Sequence, residues 1–297
     1  MQKENEGLVE EVYNIVRRSG CEVDMILYPR ESRSIDVIAR SKSESLFIKA
    51  VYNVNKLDRS ETMDLKKVKR AYRAPVIVVS IRQYGADLED DVIHIRHGIK
   101  VVTPKTLEKY VLKRERPIVA CIRGNYVLKL NPHKFREKRE LHGYTRGMLA
   151  EMLGVSRKAI YMYESGDMFI SLDRGVELAS LLGEDIFEEL DLQSKDLEDK
   201  QIEGEEDRSV PRDDIEKAIF KVATNYGHIF LNFSRIPIDI ALKGRVVLSI
   251  VKESMKNGAS SEKVEYAEKI VNVVNTPILL VRTPGDVREL KRILERH

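Results

Sequence analysis

The sequence predicts a multi-domain α/β protein, two α/β units flanking an all-α one, and three observations carry that prediction. Strand-length runs rich in Val and Ile follow a helix near both ends of the chain and in the same order. Between them, Thr145 to Gly166 reads as two short helices about a tight turn. A polar, acid-rich stretch then separates the helical part from the last α/β run. A period of two residues and a period of 3.6 need different partners to bury their apolar faces, so the change of period marks a change of architecture.

At 297 residues the chain is long enough for two or three ordinary cores, and 42% hydrophobic with 33% charged residues is a globular composition. The formal charge of +3 is the difference of 51 basic and 48 acidic side chains. It neither demands nor excludes a nucleic acid, so the case rests on where the charges lie. The start, MQKENEGLVEE, is polar with no apolar run behind it, so neither a signal peptide nor a membrane span is expected. Cys21 and Cys121 have no paired spacing, which suits reduced thiols in a cytoplasmic protein. His94 and His97 lack a second ligand pair, and neither a metal nor another cofactor is expected.

Leu8 to Arg18 puts Leu8, Val12, Ile15 and Val16 on one helical face and stops near Gly20. CEVDMILYP, SIDVIAR and SLFIKAVY follow as strands, and Asp64 to Tyr72 as a charged amphipathic helix. APVIVVS is a continuous apolar run, the pattern of a strand buried on both faces. VIHI, IKVVT and a helix from Pro104 to Leu112 complete an α/β domain over 1–116. PIVACIRGNYVLKL then reads as a hairpin turning at Gly124-Asn125.

Asn131-Pro132 is an N-cap followed by proline at the first helical position, opening a helix with Phe135, Arg136, Arg139 and Leu141. Thr145 caps the next helix, which puts Leu149, Ala150 and Leu153 on one face. Gly154 supplies the positive φ of the turn, Val155 plugs it, and Ser156 caps a second helix whose Ile160 and Tyr163 point inward. Arg157, Lys158, Tyr161 and Met162 are left on the outward face. Such a helix can enter a major groove, where Arg or Lys bonds guanine O6 and N7 and an apolar tip meets a thymine methyl. Another amphipathic helix, SLDRGVELASLLG, ends on Gly183.

With those flanks, Leu130 to Gly183 resembles the Cro and phage-repressor family, a bundle of about five helices, on its LA, LGVS and YESG stretches. The resemblance implies that Arg146, Ser156 and Ser165 contact the DNA backbone, and that Arg157, Lys158 and Met162 contact bases. The family often has Gln at the start of the recognition helix. Here it is Arg-Lys, and two cations can serve phosphates as well as bases. The domain, with its hairpin, spans 117–190, and the acid-rich 191–212 reads as a linker.

The last part, 213–297, begins a helix at Asp214 and repeats the first. SIDVIAR pairs with PIDIALK, LFIK with LSIVK and APVIVVS with TPILLVR, and Asp36 to Lys49 and Asp239 to Lys252 both span 13 positions. The reading is an internal duplication, with convergence of two generic α/β patterns as the alternative. The order helix, three strands, helix, strand resembles restriction-endonuclease-like nucleases, particularly archaeal Holliday-junction resolvases. In that family an Asp and an acidic-x-Lys hold a divalent metal and the attacking water. Asp36 matches the first and Lys49 the lysine, with Asp239 and Lys252 expected to repeat them. Phe47 occupies the second acidic position, and Ile250 is expected to do so in the second copy. Glu11 or Glu44 could substitute. A lone carboxylate beside a lysine binds a hard cation poorly, so these four residues are read as vestiges that pair Asp36 with Lys49 and Asp239 with Lys252.

The whole resembles archaeal transcriptional regulators with a mid-chain Cro-type helix-turn-helix. The fold class is then two restriction-endonuclease-like α/β domains flanking an all-α five-helix Cro/C1-type DNA-binding domain. The expected function is a sequence-specific regulator that binds double-stranded DNA, non-enzymatic, as a homodimer joined through the duplicated domains. The alternatives are a metal-dependent endonuclease or junction resolvase targeted by the helix-turn-helix, and an accessory protein of a restriction or toxin system.

Overall fold

The structure, a computed structural model, describes residues 2–41, 44–194, 197, 209–253 and 259–295. The chain forms two compact units, one of residues 1–87 with 198–297 and one of residues 88–197. Most of the acidic stretch expected to be a linker, residues 195–196 and 198–208, lies outside the described residues.

The first unit opens with α1 (Gln2–Arg18), followed by β1 (Glu22–Met25), β2 (Val37–Arg40) and β3 (Ser45–Ala50). These three strands are antiparallel in that order. Helix α2 (Arg59–Tyr72) begins with a reciprocal cap, Asp58 accepting from Glu61 N and Glu61 accepting from Asp58 N. It crosses over to β4 (Val76–Val79), fully buried and parallel to β3. The hairpin β5 (Arg82–Gln83) and β6 (Ala86–Asp87) closes this half.

The second unit carries β7 (Val92–Arg96), β8 (Ile99–Val102), α3 (Pro104–Glu108) continuing as a π-helical turn Lys109–Lys113, β9 (Val119–Ile122) and β10 (Asn125–Leu128). Then come α4 (Pro132–Leu141), α5 (Arg146–Met152), α6 (Arg157–Ser165), β11 (Ile170–Ser171) and α7 (Leu172–Leu182). Its strands run in the order β8-β7-β9-β10-β11. The β9–β10 hairpin turns at Arg123-Gly124, with φ of 53° and 83°, while Asn125 already pairs with Ile122. The turn is thus one residue earlier than Gly124-Asn125, because a two-residue turn of this hand needs positive φ at both positions. In the region expected to hold five helices, the four α-helices α4 to α7 are followed by a 3-10 turn, Glu184–Ile186, in fifth place.

The first unit resumes with α8 (Asp214–Asn225), β12 (Ile229–Asn232), β13 (Ile240–Lys243), β14 (Val247–Lys252), α9 (Ala259–Val274), β15 (Ile278–Val281) and α10 (Val287–Leu294). The order and directions of the first half recur, with β12, β13 and β14 antiparallel and β15 parallel to β14. The halves pack on each other inside this unit, α2 on β12 and β13, and α9 on β2. Lys67 Nζ donates to Asn232 O at 2.8 Å, Ser34 N to Arg235 O at 2.8 Å and Ser45 Oγ to Val273 O at 2.8 Å.

These units do not coincide with boundaries at 116/117 and 190/191. Residues 92–95 share a parallel ladder with 119–122, which ties 88–116 to the helical part. The duplicated halves, read as separate domains, lie in one unit because α2 buries Glu61, Asp64, Leu65, Lys67 and Val68 around its circumference, more than one sheet can cover.

Candidate nucleic-acid interface

The helical core of the second unit gathers Leu128, Phe135, Leu149, Ala150, Leu153, Ile160, Tyr163 and Leu178. Thr145 Oγ1 accepts from Met148 N at 3.1 Å and Ser156 Oγ from Ala159 N at 3.1 Å, so both helix starts are capped as their residue types predict. Gly154 at φ +61° turns the chain between α5 and α6, and Gly166 at φ +76° ends α6. Close approach decides one more position, for a Cβ on Gly175 of α7 would lie 2.3 Å from Leu128 Cδ1.

With Ile160 and Tyr163 seated in the core, α6 presents Arg157, Lys158, Tyr161 and Ser165 to solvent, and Met162 is half-buried. Arg157 lies across α5, its guanidinium 3.2–3.4 Å from where a Gly147 Cβ would stand. Arg146 donates to Glu164 at 2.5 Å and covers the Tyr161 ring at 5.5 Å. The Ser165 hydroxyl is bonded to Met162 O and to Asp167, and Ser156 serves as the cap. The structure therefore brings Arg157 against α5 beside Gly147 and Arg146 of α5 onto Tyr161 of α6.

Glu164 is the residue that sequence reasoning missed. Its carboxylate is buried and joins three helices, taking Arg139 of α4 at 2.5 Å on one oxygen and Arg146 of α5 at 2.5 Å on the other. Arg139, itself buried, also donates to Tyr144 O at 2.8 Å. The only signal was a carboxylate one position after Tyr163, on the flank of an apolar helix face.

In the first half the expected pair of Asp36 with Lys49 is present, set within a wider network. Asp36 Oδ1 accepts from Arg33 at 2.6 Å, while Oδ2 accepts from Ala50 N at 2.8 Å and lies 3.2 Å from Lys49 Nζ. Glu11 and Glu44 are exposed, and the second carboxylate at this centre is Glu61 of α2, 3.4 Å from Lys49. Arg235 from the other half reaches in to Asp58 and lies 3.8 Å from Glu61.

In the second half the repeat shifts by one residue after β13. Asp36 N bonds Ile48 O as Asp239 N bonds Ile250 O, and Phe47 N bonds Pro75 O as Ser249 N bonds Pro277 O. Ser249, not Ile250, is therefore the counterpart of Phe47, and Lys252 corresponds to Ala50. The connection 244–246 is one residue shorter than 41–44, and a one-residue slip sends a strand side chain to the opposite face. Lys252 accordingly bonds Asp213 at 2.6 Å and Glu216 at 2.7 Å, correcting the expected pair with Asp239. Asp239 is paired instead by Lys263 of α9 at 2.5 Å. Glu216 is fully buried, and despite that burial, bonds from Arg212, Lys252 and Asn232 lower its pKa to about 2. Burial, and after it the nearby charges of Asp239 and Glu262, raise the pKa of Tyr28 of the first half, and Arg30 lies 3.5 Å from Glu262.

His94 and His97 do not converge. His94 is buried 3.2 Å from Glu89, with burial holding its pKa below the ordinary value, and His97 sits in the β7–β8 turn at φ 50°. Among the described residues no group of three or more His, Cys, Asp or Glu side chains is placed to hold a metal ion, and no helix is long and apolar enough to cross a membrane.

Comparison with known families gives residues 135–188 a match to a model described as helix-turn-helix, and residues 5–117 a match to one described as a PD-(D/E)XK superfamily domain. The chain thus carries a helix-turn-helix domain over 135–188 and a PD-(D/E)XK superfamily domain over 5–117. It is 33% identical to a Pyrococcus furiosus protein over 70% of this chain and 64% of the relative's length. A Thermococcus gammatolerans relative is 28% identical over 94% of this chain and 86% of its own, and a Pyrococcus horikoshii relative 26% over 98% and 97%. All three bear the name "Putative HTH-type transcriptional regulatory protein". No solved structure matches the chain.

The PD-(D/E)XK superfamily domain does not present a donor set that fits a divalent cation. Hard cations need several free carboxylate or carbonyl oxygens. Both Asp36 oxygens are taken by cations or an amide, and Glu61 faces Lys49.

Proposed function

We propose that this chain is a sequence-specific DNA-binding transcriptional regulator, cytoplasmic, acting as a homodimer, and that neither α/β half hydrolyses DNA. The observation that carries the reading is α6 itself, whose Ile160 and Tyr163 anchor it while Arg157, Lys158 and Tyr161 stay exposed on the opposite face. A helix held this way can lay its amino-terminal side chains on base edges while α5 crosses the backbone. Arg157, Lys158, Tyr161 and Met162 are assigned to the groove, and Arg146, Ser156 and Ser165 to the backbone. Ser156 Oγ accepts from Ala159 N and keeps its own O–H to donate to a phosphate, whereas the Ser165 hydroxyl, bonded to Met162 O and Asp167, has to rotate to do so. Homologues carrying a regulator's name support the same class.

The non-enzymatic half of the reading is supported by cations that fill each remnant centre, Arg33 and Lys49 at Asp36 and Lys263 at Asp239. The matched PD-(D/E)XK superfamily domain keeps the endonuclease reading as the rival.

Selection of bound fragments from random duplexes tests the main reading, with enrichment of one motif expected. Lys158→Ala should then weaken the selected duplex by about 1–3 kcal/mol and relax preference at one base pair. Failure of any sequence to enrich over the starting pool would reject sequence-specific binding.

A further inference from the structure

Natural sheets protect their edges with charges, prolines, bulges or covering segments, because an open edge pairs with another strand. In the first unit, β1 carries Glu22 and Asp24 among its four residues. The β12 edge is met by Ser209, whose Oγ accepts from Asn232 N at 3.1 Å. Strand β15 ends the sheet β12-β13-β14-β15 and reads Ile-Leu-Leu-Val, with neither a charge nor a proline in it.

The hydrogen bonds of β15 alternate. Ser249 N donates to Pro277 O and Glu253 N to Val281 O, so residues 277, 279 and 281 face β14. The amides and carbonyls of Ile278 and Leu280 point the other way and meet no partner among the described residues. Their side chains share a face, and Leu280 is 37% exposed, whereas Leu279 and Val281 lie in the core with Leu290 and Leu294 of α10.

We propose that two copies of this chain associate by antiparallel pairing of their β15 strands about a two-fold axis at Leu279. The proposal rests on the homodimer reading above and names its surface. The occupant is a second copy because the strand is complementary to itself. With Leu279 opposite Leu279 of the second copy, Ile278 falls opposite Leu280 of that copy and Leu280 opposite Ile278. All four outward amides and carbonyls of each strand find partners as two hydrogen-bonded pairs. The same register sets Ile278 and Leu280 side by side across strands as apolar pairs. Arg282, held by Glu253 at 2.5 Å, falls opposite Thr276, so no like charges are opposed. A two-fold also supplies the second recognition helix that a single α6 lacks.

Sedimentation equilibrium of the full chain tests this, with Leu280→Lys as the variant and Val246→Lys, an exposed apolar position off the edge, as the control. The wild type and Val246→Lys should be dimers, and Leu280→Lys should raise the dimer dissociation constant at least tenfold. Hydrogen exchange of the wild type gives a reading that needs no variant, with the Ile278 and Leu280 amides slowing as concentration rises through the association. A wild type that stays monomeric at high micromolar concentration overturns the homodimer reading and this proposal together. A dimer whose constant is unchanged by Leu280→Lys, or whose Ile278 and Leu280 amides exchange freely, overturns the surface alone.

Discussion

Tyr72 Oη lies 2.9 Å from Ser249 Oγ, and the Tyr72 ring stacks on Phe47 with centroids 5.9 Å apart. Phe47 and Ser249 are the same position of the two halves, so one side chain of α2 bridges the duplicated strands at the place where a nuclease would carry its second acid. Burial raises the Tyr72 pKa, and the hydroxyl stays neutral and hydrogen-bonded. Ser249→Ala removes its nearest partner inside the protein and should cost about 1–3 kcal/mol in denaturant unfolding. Tyr72→Phe should cost less, and the double variant should show that the two effects are not additive.

Glu164→Gln should destabilise the helix-turn-helix. Arg139 is buried, and losing the carboxylate leaves its charge without the partner it was desolvated against, a loss of about 3–5 kcal/mol. Arg146 is more exposed and should simply be freed. Thermal unfolding followed at a probe in residues 88–197 checks the loss, and unchanged melting would show the network to be incidental.

Acid should weaken the first unit through Glu216. Its folded pKa of about 2 lies below the ordinary glutamate value of 4.5, so it contributes stability that is fully present above pH 4.5 and lost as pH falls toward 2. Glu216→Gln removes the titration and should leave unfolding free energy less dependent on pH across that window. Equal slopes in the two proteins would assign acid sensitivity to other carboxylates.

Supercoiled, linear and four-way-junction DNA should remain uncut in magnesium or manganese, because the cations at Asp36 and Asp239 offset the charge a metal requires. Cleavage abolished by Asp36→Ala would restore the nuclease reading, with Glu61 as the second ligand to replace next.

Local chemistry made much of the protein legible from its residues alone. Thr145, Gly154 and Ser156 act within three or four residues of themselves, so their roles as caps and turn could be read before any fold was known. The same holds for the exposed face of α6 and for the duplicated order of strands, since both are matters of period. What needed the tertiary structure was every pairing that depends on a third element. Glu164 meets arginines 25 and 18 positions away, Glu61 reaches Lys49 from a helix, and Lys263 replaces a strand lysine. The one-residue slip after β13 was invisible to equal spacing, because 13 positions from Asp239 reach Lys252 whether or not the intervening turn has the same length. Only the ladder tells which face a strand residue occupies, and a carboxylate is satisfied by whichever cation the packing of distant segments brings within hydrogen-bonding reach.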